Sequence, residues 1–445
     1  MFDNRDSIDF GREPIGKLFR RMFLPTLVSM VSMVVLNITD GAFVGHGAGS
    51  DALAAVNIAA PLFMIMAGIG LAFGIGSNVA ASIHQAKGNN KAADINLTQG
   101  ILASTTIGLL LGILIYTHQE EVCWLFGCSE RLLPQACSYV KWMAVLMPFN
   151  LFGMTAMFMV RLDGSPRFAM AVNCGMALSN IILDYILIYP MQMGLEGAAI
   201  ATCISFSAGN IPVLYYLLFK SRQVHFHWIK VSRTSIRLTA RNLAYQLRIG
   251  ASALLGEAAL AAVIIVGNYV FIHYLGEDGV AAFSVGCYCL PIAFMMGNAI
   301  VQSIQPIISY AHGAGNTTRL QQSSRLAIRT ALLSGIAGML LLCLFADQIS
   351  RTFIDTESAA YPLCCEGLPW FSIAFLFVAV NMTMIGIMQS TEKAIRAAVF
   401  TILRGFVLSL SCFVLLPMWL GDVGLWLALP LAEGTTAALM SAIDN

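Results

Sequence analysis

The chain has 445 residues, of which 58% are hydrophobic and only 11% charged, with a formal net charge of +1. A soluble domain carries roughly 25% charged residues, and one this apolar would expose patches that aggregate in water. The composition therefore excludes a water-soluble globular protein and leaves the lipid bilayer as the solvent.

Residues 1–21 are polar and end in Arg20-Arg21, with no short apolar core before a small-residue cleavage site, so no removable signal peptide is expected. Apolar stretches of about 20 residues then mark transmembrane helices. They are predicted near 22–45, 52–84, 93–117, 136–160, 168–189, 196–219, 247–273, 279–309, 323–346, 363–390, 395–419 and 424–443, the fourth having an alternative earlier start in the half-apolar stretch 122–133. The expected fold class is an all-α membrane protein of about twelve transmembrane helices in two pseudo-symmetric six-helix bundles.

In a membrane protein the placement of charge matters more than its sum. Of the 25 lysines and arginines, 22 fall in the N-terminal segment and the even-numbered connections, including Lys87, Arg161, Arg167, Arg319, Lys393 and Arg404. The odd-numbered connections hold Arg131 and Arg351, with Lys141 just inside the next helix. The bias predicts a multi-pass protein of the inner (cytoplasmic) membrane with both termini cytoplasmic.

A repeat runs through the chain. Pro190, Gly194, Gly197 and Ala201 recur as Pro417, Gly421, Gly424 and Ala428, an offset of 227. The same offset places Gly49, Ala54, Ala55 and Gly70 over Gly276, Ala281, Ala282 and Gly297, and a slip of two places Ala86-Lys-Gly88 over Ala311-His-Gly313. An even number of spans preserves orientation, so the halves are parallel copies. The predicted division is a lobe over 1–219, a cytoplasmic linker over 220–246 read as a basic connector beside anionic lipid, and a second lobe over 247–445.

Acidic residues inside apolar spans carry the most information, because each must be paired, protonated or exposed to water. They are Asp40, Asp184, Glu257 and, near a helix end, Glu433. At the rise of an α-helix, Asp40 lies roughly 30 Å along the first span, Asp184 about 25 Å along the fifth, and Thr202 about 9 Å from the outer end of the sixth. All three fall at similar depth in the outer half. Asn180 sits one turn below Asp184, and Met33, Asn37 and Asp40 share a face of the first helix. Asp40, Asn180, Asp184 and Thr202 are the candidate ion-coupling residues. Their amides, hydroxyl and paired carboxylates suit a proton or Na⁺, because two carboxylates in a poorly solvated pocket disfavour double ionisation. The bland alternative is that each acid satisfies a helix end near the interface. Pro25 interrupts the hydrogen-bond ladder of the first helix and is the candidate hinge.

Asp40-Gly-Ala-Phe-Val-Gly45 followed by Leu53-Ala-Ala-Val56 resembles the first-helix signature of the multidrug and toxic compound extrusion (MATE) family. Gly68-Ile-Gly70 to Gly76 and Gln85-Ala-Lys-Gly88 continue that pattern. The stretches from Arg161 to Arg167, Asn180 to Asp184 and Gly194 to Ala199 are similar to its fourth to sixth helices, and Gly386 to Thr391 is a looser match to its tenth. The resemblance covers essentially the whole chain and is closest to bacterial multidrug export proteins and DNA-damage-inducible-F-like members. It implies a V-shaped pair of six-helix bundles exchanging organic cations for H⁺ or Na⁺, with Asp40, Asn180, Asp184 and Thr202 holding the coupling ion in the N-terminal lobe. The sequence departs from sodium-coupled members that carry an acid in the tenth helix, since 371–391 has none, while Glu257 matches an acid position of that branch.

Met33, Asn37 and Glu257 are the candidate substrate-cleft residues. For Glu257 the alternative is a hydrogen bond to Asn268, Gln302 or Gln305. Many of the 23 methionines read as lipid-facing or core, with an adaptable drug surface as the functional alternative. The eleven cysteines read as small packing residues, none paired at zinc-ligand spacing. The glycines of 68–76 are a helix-packing device, since no strand precedes them. No Walker motif, His-Glu-x-x-His or catalytic dyad is present, so no enzyme is expected. The expected function is a cation-coupled exporter of organic cations, with a lipid or lipid-linked oligosaccharide flippase of the same superfamily as the alternative. No cofactor beyond the coupling ion, no metal beyond Na⁺ at those four residues and no nucleic-acid partner are expected. The partners are small organic cations and the bilayer, and the chain is expected to be a monomer.

Overall fold

The computed structural model describes residues 8–126, 128–227 and 232–444. Arg5 and Lys230, two of the charges counted above, lie outside the described residues. Among the described residues the chain is helical throughout, without a strand. The first half comprises α1 (Ile15–Ala48), α2 (Ser50–Ala86), α3 (Asn90–Thr117), the short α4 (Gln119–Leu125), α5 (Leu133–Leu162), α6 (Pro166–Ile188) and α7 (Gly194–Phe219). The second comprises α8 (Arg233–Gly313), α9 (Thr317–Leu344), α10 (Ala346–Phe353), α11 (Ala360–Ser390), α12 (Ala394–Ile402), a π-helical turn (Leu403–Leu408), α13 (Ser409–Leu420) and α14 (Asp422–Asp444).

Among the described residues eleven helices are long and apolar enough to cross a membrane. The 81-residue α8 is two of the predicted spans, because Gly276 breaks it with φ 68° and ψ −158°. Counting α8 twice gives the twelve spans read from hydropathy. The stretch 122–133 is not an extension of α5. It contains the end of the separate helix α4 and the turn that follows it.

The repeat is sharper in the backbone than in the residues. Offset by 227, α3 falls on α9 end to end, α5 starts on the start of α11, and α2 ends on the end of α8. Three glycines with positive φ obey the same offset: Gly49 (91°) with Gly276 (68°), Gly88 (74°) with Gly315 (66°), and Gly194 (54°) with Gly421 (59°). Only glycine adopts such a turn without a Cβ penalty. This corrects the slip of two read at Ala86-Lys-Gly88: the turn glycine Gly88 matches Gly315 without a slip, and the apparent match to Gly313 is a coincidence of small residues.

The chain packs as two compact units, one of Met1–Leu254 with Ser309–Asn316 and one of Leu255–Ile308 with Thr317–Asn445. The first therefore closes at Leu254, beyond the linker expected over 220–246. That linker is no free tether where it is described. The Asp163 carboxylate accepts the backbone N–H groups of Arg222 (2.9 Å), Gln223 (2.6 Å) and Val224 (3.1 Å). His225 N–H donates to Asp94 Oδ1 at 2.8 Å, His227 N–H to Thr98 Oγ1 at 3.0 Å, and Gln223 Nε2 to the Ile8 carbonyl at 2.8 Å. From Arg233 the segment is already α8, started by Ser232 Oγ accepting the Ser235 N–H at 3.1 Å.

Glycines let the start of α8 lie against α2. A Cβ on Gly250 would stand 1.9 Å from the Ala72 carbonyl oxygen, and one on Gly76 would stand 2.1 Å from that of Gln246. Backbone cannot retreat as a side-chain tip can, so the crossing requires glycine on both helices. Gly250→Ala is accordingly expected to destabilise the first unit by about 1–3 kcal/mol, the usual cost of overpacking. A thermal melt in detergent checks this, and an unchanged melting temperature would show that the crossing relaxes freely.

Candidate functional site

The site assembles inside the first unit from four helices. α1 carries Asp40, α6 carries Asn180 and Asp184 one turn apart, α7 carries Thr202, and α5 brings Tyr139. Asn180 and Asp184 are fully buried at 0% exposure. Asn180 Nδ2 reaches Asp184 Oδ1 at 3.5 Å and Thr202 Oγ1 at 3.4 Å. With the amide turned over, its nitrogen donates to Asp184 Oδ2 at 3.2 Å and its oxygen accepts the Thr202 N–H at 3.2 Å, the better pair of bonds. Thr202 Oγ1 donates to the Ala198 carbonyl at 3.1 Å, which leaves its lone pairs to accept.

Asp40 is different in kind. Its Oδ1 is buried and has no hydrogen-bond partner among the described residues. Asp40 lies within electrostatic reach of Asp184, and of the two carboxylates only that of Asp184 is held by an amide. A buried carboxylate without a donor costs several kcal/mol unless it is neutralised or paired. Tyr139, buried in the same core cluster as Ala198 and Ala199, lies within electrostatic reach of both acids. Sequence reasoning missed it: no intramembrane charge marks a tyrosine, and its offset to the acids exists only once α5 is packed.

The other candidate residues lie on α1 and α8. Met33 is partly buried and Asn37 exposed, and Asn37 makes no bond to the acidic cluster. Pro25 is buried within a continuous α1 and cannot donate to the Arg21 carbonyl, while Ser29 Oγ donates to the Pro25 carbonyl at 2.9 Å. Glu257, on α8 in the second unit, is partly buried and makes no hydrogen bond or ion pair among the described residues, so the alternative of bonds to Asn268, Gln302 or Gln305 has no counterpart in the structure.

The second unit holds a polar centre of its own. Arg404 Nε donates to Glu433 Oε1 at 2.6 Å, both side chains being buried. Asn381 Nδ2 donates to the other carboxylate oxygen at 2.7 Å and to the Glu433 carbonyl at 2.8 Å. The guanidinium lies over Phe294 at 5.3 Å. Arg404 is thus no cytoplasmic charge, as its count in the tenth connection assumed. The π-helical turn that contains it rotates it inward, and Ser409 Oγ bonds the Arg404 carbonyl at 2.7 Å. The pair borders a cavity of about 30 Å³ lined also by Ala259, Val263 and Leu290. Among the described residues no cluster of three or more His, Cys, Asp or Glu side chains is arranged to hold a metal.

Comparison with known proteins agrees with this arrangement. A multidrug export protein MepA from Staphylococcus saprophyticus is 22% identical over 434 residues, covering 98% of this chain and 94% of the relative. A protein named FAD transporter from Shewanella oneidensis is 25% identical, covering 94% and 92%. Among solved structures, an outward-facing conformation of a multidrug resistance MATE family transporter of the MOP superfamily superposes with a TM-score of 0.90 at 22% identity over 99% of each chain, which speaks for the fold alone. The MatE family model matches twice, over residues 25–186 and 253–414, one copy per half. Two matches that together span most of the sequence, on a helical scaffold repeated at nearly the same spacing, make this chain a member of the MatE family of multi-pass membrane transporters.

Proposed function

We propose that the chain exports organic, chiefly cationic, compounds across the inner membrane in exchange for H⁺ or Na⁺, by alternating access, with Asp40, Asn180, Asp184 and Thr202 as the ion-coupling residues. The observation that carries this reading is the buried Asp40 Oδ1 without a donor beside the buried Asp184. Such a pair gains a proton or a cation at large advantage over remaining doubly charged. The two carboxylates, the Asn180 amide oxygen and the Thr202 hydroxyl offer a hard cation an all-oxygen environment. Tyr139 lies within electrostatic reach of both acids.

Pro25 is the proposed hinge, because α1 carries Asp40 and proline removes one bond from its ladder. Met33, Asn37 and Glu257 are the proposed cargo contacts, and Glu257, with no hydrogen-bond or ion-pair partner among the described residues, is the residue to attract a positive charge. The relatives extend the cargo range to be tested: multidrug export for one, FAD for another. The reading carries no catalytic residue and no cofactor, a single chain as the working unit, and both termini on the cytoplasmic side.

Purified protein in liposomes decides the matter. A fluorescent organic cation should move against its gradient when ΔpH or ΔNa⁺ is imposed, and the two gradients applied separately identify the ion. Movement independent of both gradients sinks the antiport reading. FAD in the same vesicles tests the anionic cargo, and Glu257→Gln should lower uptake of cations relative to neutral dyes. An unaltered cargo ratio removes Glu257 from the cargo contacts.

A further inference from the structure

Three cysteines meet at the connection between α3 and α5. Cys123 lies on α4 and is fully buried, Cys128 follows in the turn, and Cys137 lies on the first turns of α5. The Sγ atoms of Cys137 and Cys123 are 3.8 Å apart. The Cys128 N–H donates to the Cys123 carbonyl at 3.0 Å, which folds α4 back toward α5.

The second unit repeats this contact with different chemistry. Offset by 227, Cys123 and Cys137 fall on Ser350 and Cys364. There α10 folds back on α11, and Ser350 Oγ donates to Cys364 Sγ at 3.1 Å. One scaffold therefore builds the same side-chain meeting twice. A hydroxyl satisfies it for packing and hydrogen bonding, so packing alone does not call for a second thiol.

We propose that Cys123 and Cys137 are joined by a disulfide that staples α4 to α5 on the outer side of the first unit. This rests on the orientation given under the proposed function, which places the connection outside the membrane, where disulfides form and persist. Bonding needs the sulfurs to close from 3.8 Å to about 2.05 Å. The oxidant is the disulfide of a thiol–disulfide oxidoreductase. One cysteine thiolate attacks it to give a mixed disulfide, and the other displaces the enzyme's thiolate. Two protons leave the cysteines, their two electrons reduce the enzyme to its dithiol, and the S–S bond forms.

Timing follows from burial, which pushes the Cys123 thiol up to about 12 and leaves little nucleophilic thiolate once the core has closed. The bond is therefore made as the segment emerges, and it is a permanent staple rather than a switch. Cys123 shares its buried cluster with Tyr139, two residues beyond Cys137. The staple thus fixes the first turns of α5, and with them Tyr139, which lies within electrostatic reach of Asp40 and Asp184.

The full chain is recovered from membranes of cells with an oxidising envelope, denatured in N-ethylmaleimide without reductant, digested and read by mass spectrometry. Most molecules should yield one peptide pair joined through Cys123 and Cys137, separated by reduction. Cys137→Ser, which leaves a hydroxyl–thiol pair with the two positions of the second unit exchanged, should melt several degrees below the oxidised wild type and level with the reduced one. Two alkylated cysteines, or equal melting of Cys137→Ser and oxidised wild type, overturn the staple. An impermeant maleimide applied to intact cells carrying Glu130→Cys separates the causes of failure. Labelling at position 130 with free Cys123 and Cys137 sinks the staple alone, whereas no labelling places the connection inside and sinks the orientation with it.

Discussion

Asp184→Asn should abolish ion-coupled export while leaving the fold intact, and Asp40→Asn should do the same. An amide cannot take up a proton near neutral pH, so proton coupling ends. If Na⁺ is the driver, the loss of a unit charge about 4 Å from a cation, at an effective dielectric near 20, removes about 4 kcal/mol, roughly a thousandfold in ion affinity. Folding should not suffer, because a buried carboxylate costs more to desolvate than a buried amide of the same shape. Asp184 already has Asn180 beside it, and Asp40 Oδ1 has no partner to lose. The measurements are gradient-driven uptake in liposomes and the melting temperature of the same preparation. Variants that transport at the wild-type rate would remove the acids from the coupling mechanism. Variants that melt far below wild type would return them to the alternative reading, in which each satisfies a helix end.

The second large effect belongs to the other unit. Glu433→Gln or Arg404→Leu leaves one buried charge without its partner, which costs about 3–5 kcal/mol. At roughly 2–4 °C per kcal/mol for a unit of 150–250 residues, the melting temperature should fall by some 10 °C. The double change Arg404→Met with Glu433→Leu removes both charges and should recover most of that loss, since well-packed apolar replacements of buried ion pairs are often neutral or better. Two single variants that melt like wild type would mean that water reaches the pair and screens it. A double variant no better than the singles would assign the stability to Asn381, which loses both its carboxylate acceptor and its alignment with α14.

The residues of these two centres differ in how far the linear sequence exposes them. The acids of the first unit stand out because a carboxylate inside an apolar span is rare, and helical rise alone brings Asp40, Asp184 and Thr202 to one depth. Helix count and repeat are equally open, since both depend on periods that local composition records. The slip at Gly88 was an error of a different kind, where small residues matched better than the turn that actually repeats. Arg404 deceives because a cation about ten residues past a loop looks interfacial on a straight helix. The π-helical turn of Leu403–Leu408 changes its direction, and no composition rule encodes that. Tyr139 and the Cys123–Cys137 contact depend on how α4 and α5 pack, which is tertiary information. The Asp163 carboxylate that holds Arg222, Gln223 and Val224 was likewise hidden, because its partners are backbone groups that any residue supplies.

The closed charge balance of the Arg404–Glu433 pair has an electrical consequence. A cation and an anion held 2.6 Å apart form a dipole of zero net charge, so a displacement of that pair along the membrane normal does almost no work against the membrane potential. One uncompensated elementary charge crossing the full field would involve about 2.3 kcal/mol per 100 mV. On the proposed ion-coupling reading, the acidic cluster of the first unit has no such internal balance, and its charge differs between the loaded and unloaded forms. On that reading sensitivity to voltage falls to the uncompensated acids, Asp40 and Asp184 among them, and the Arg404–Glu433 pair adds almost nothing to it.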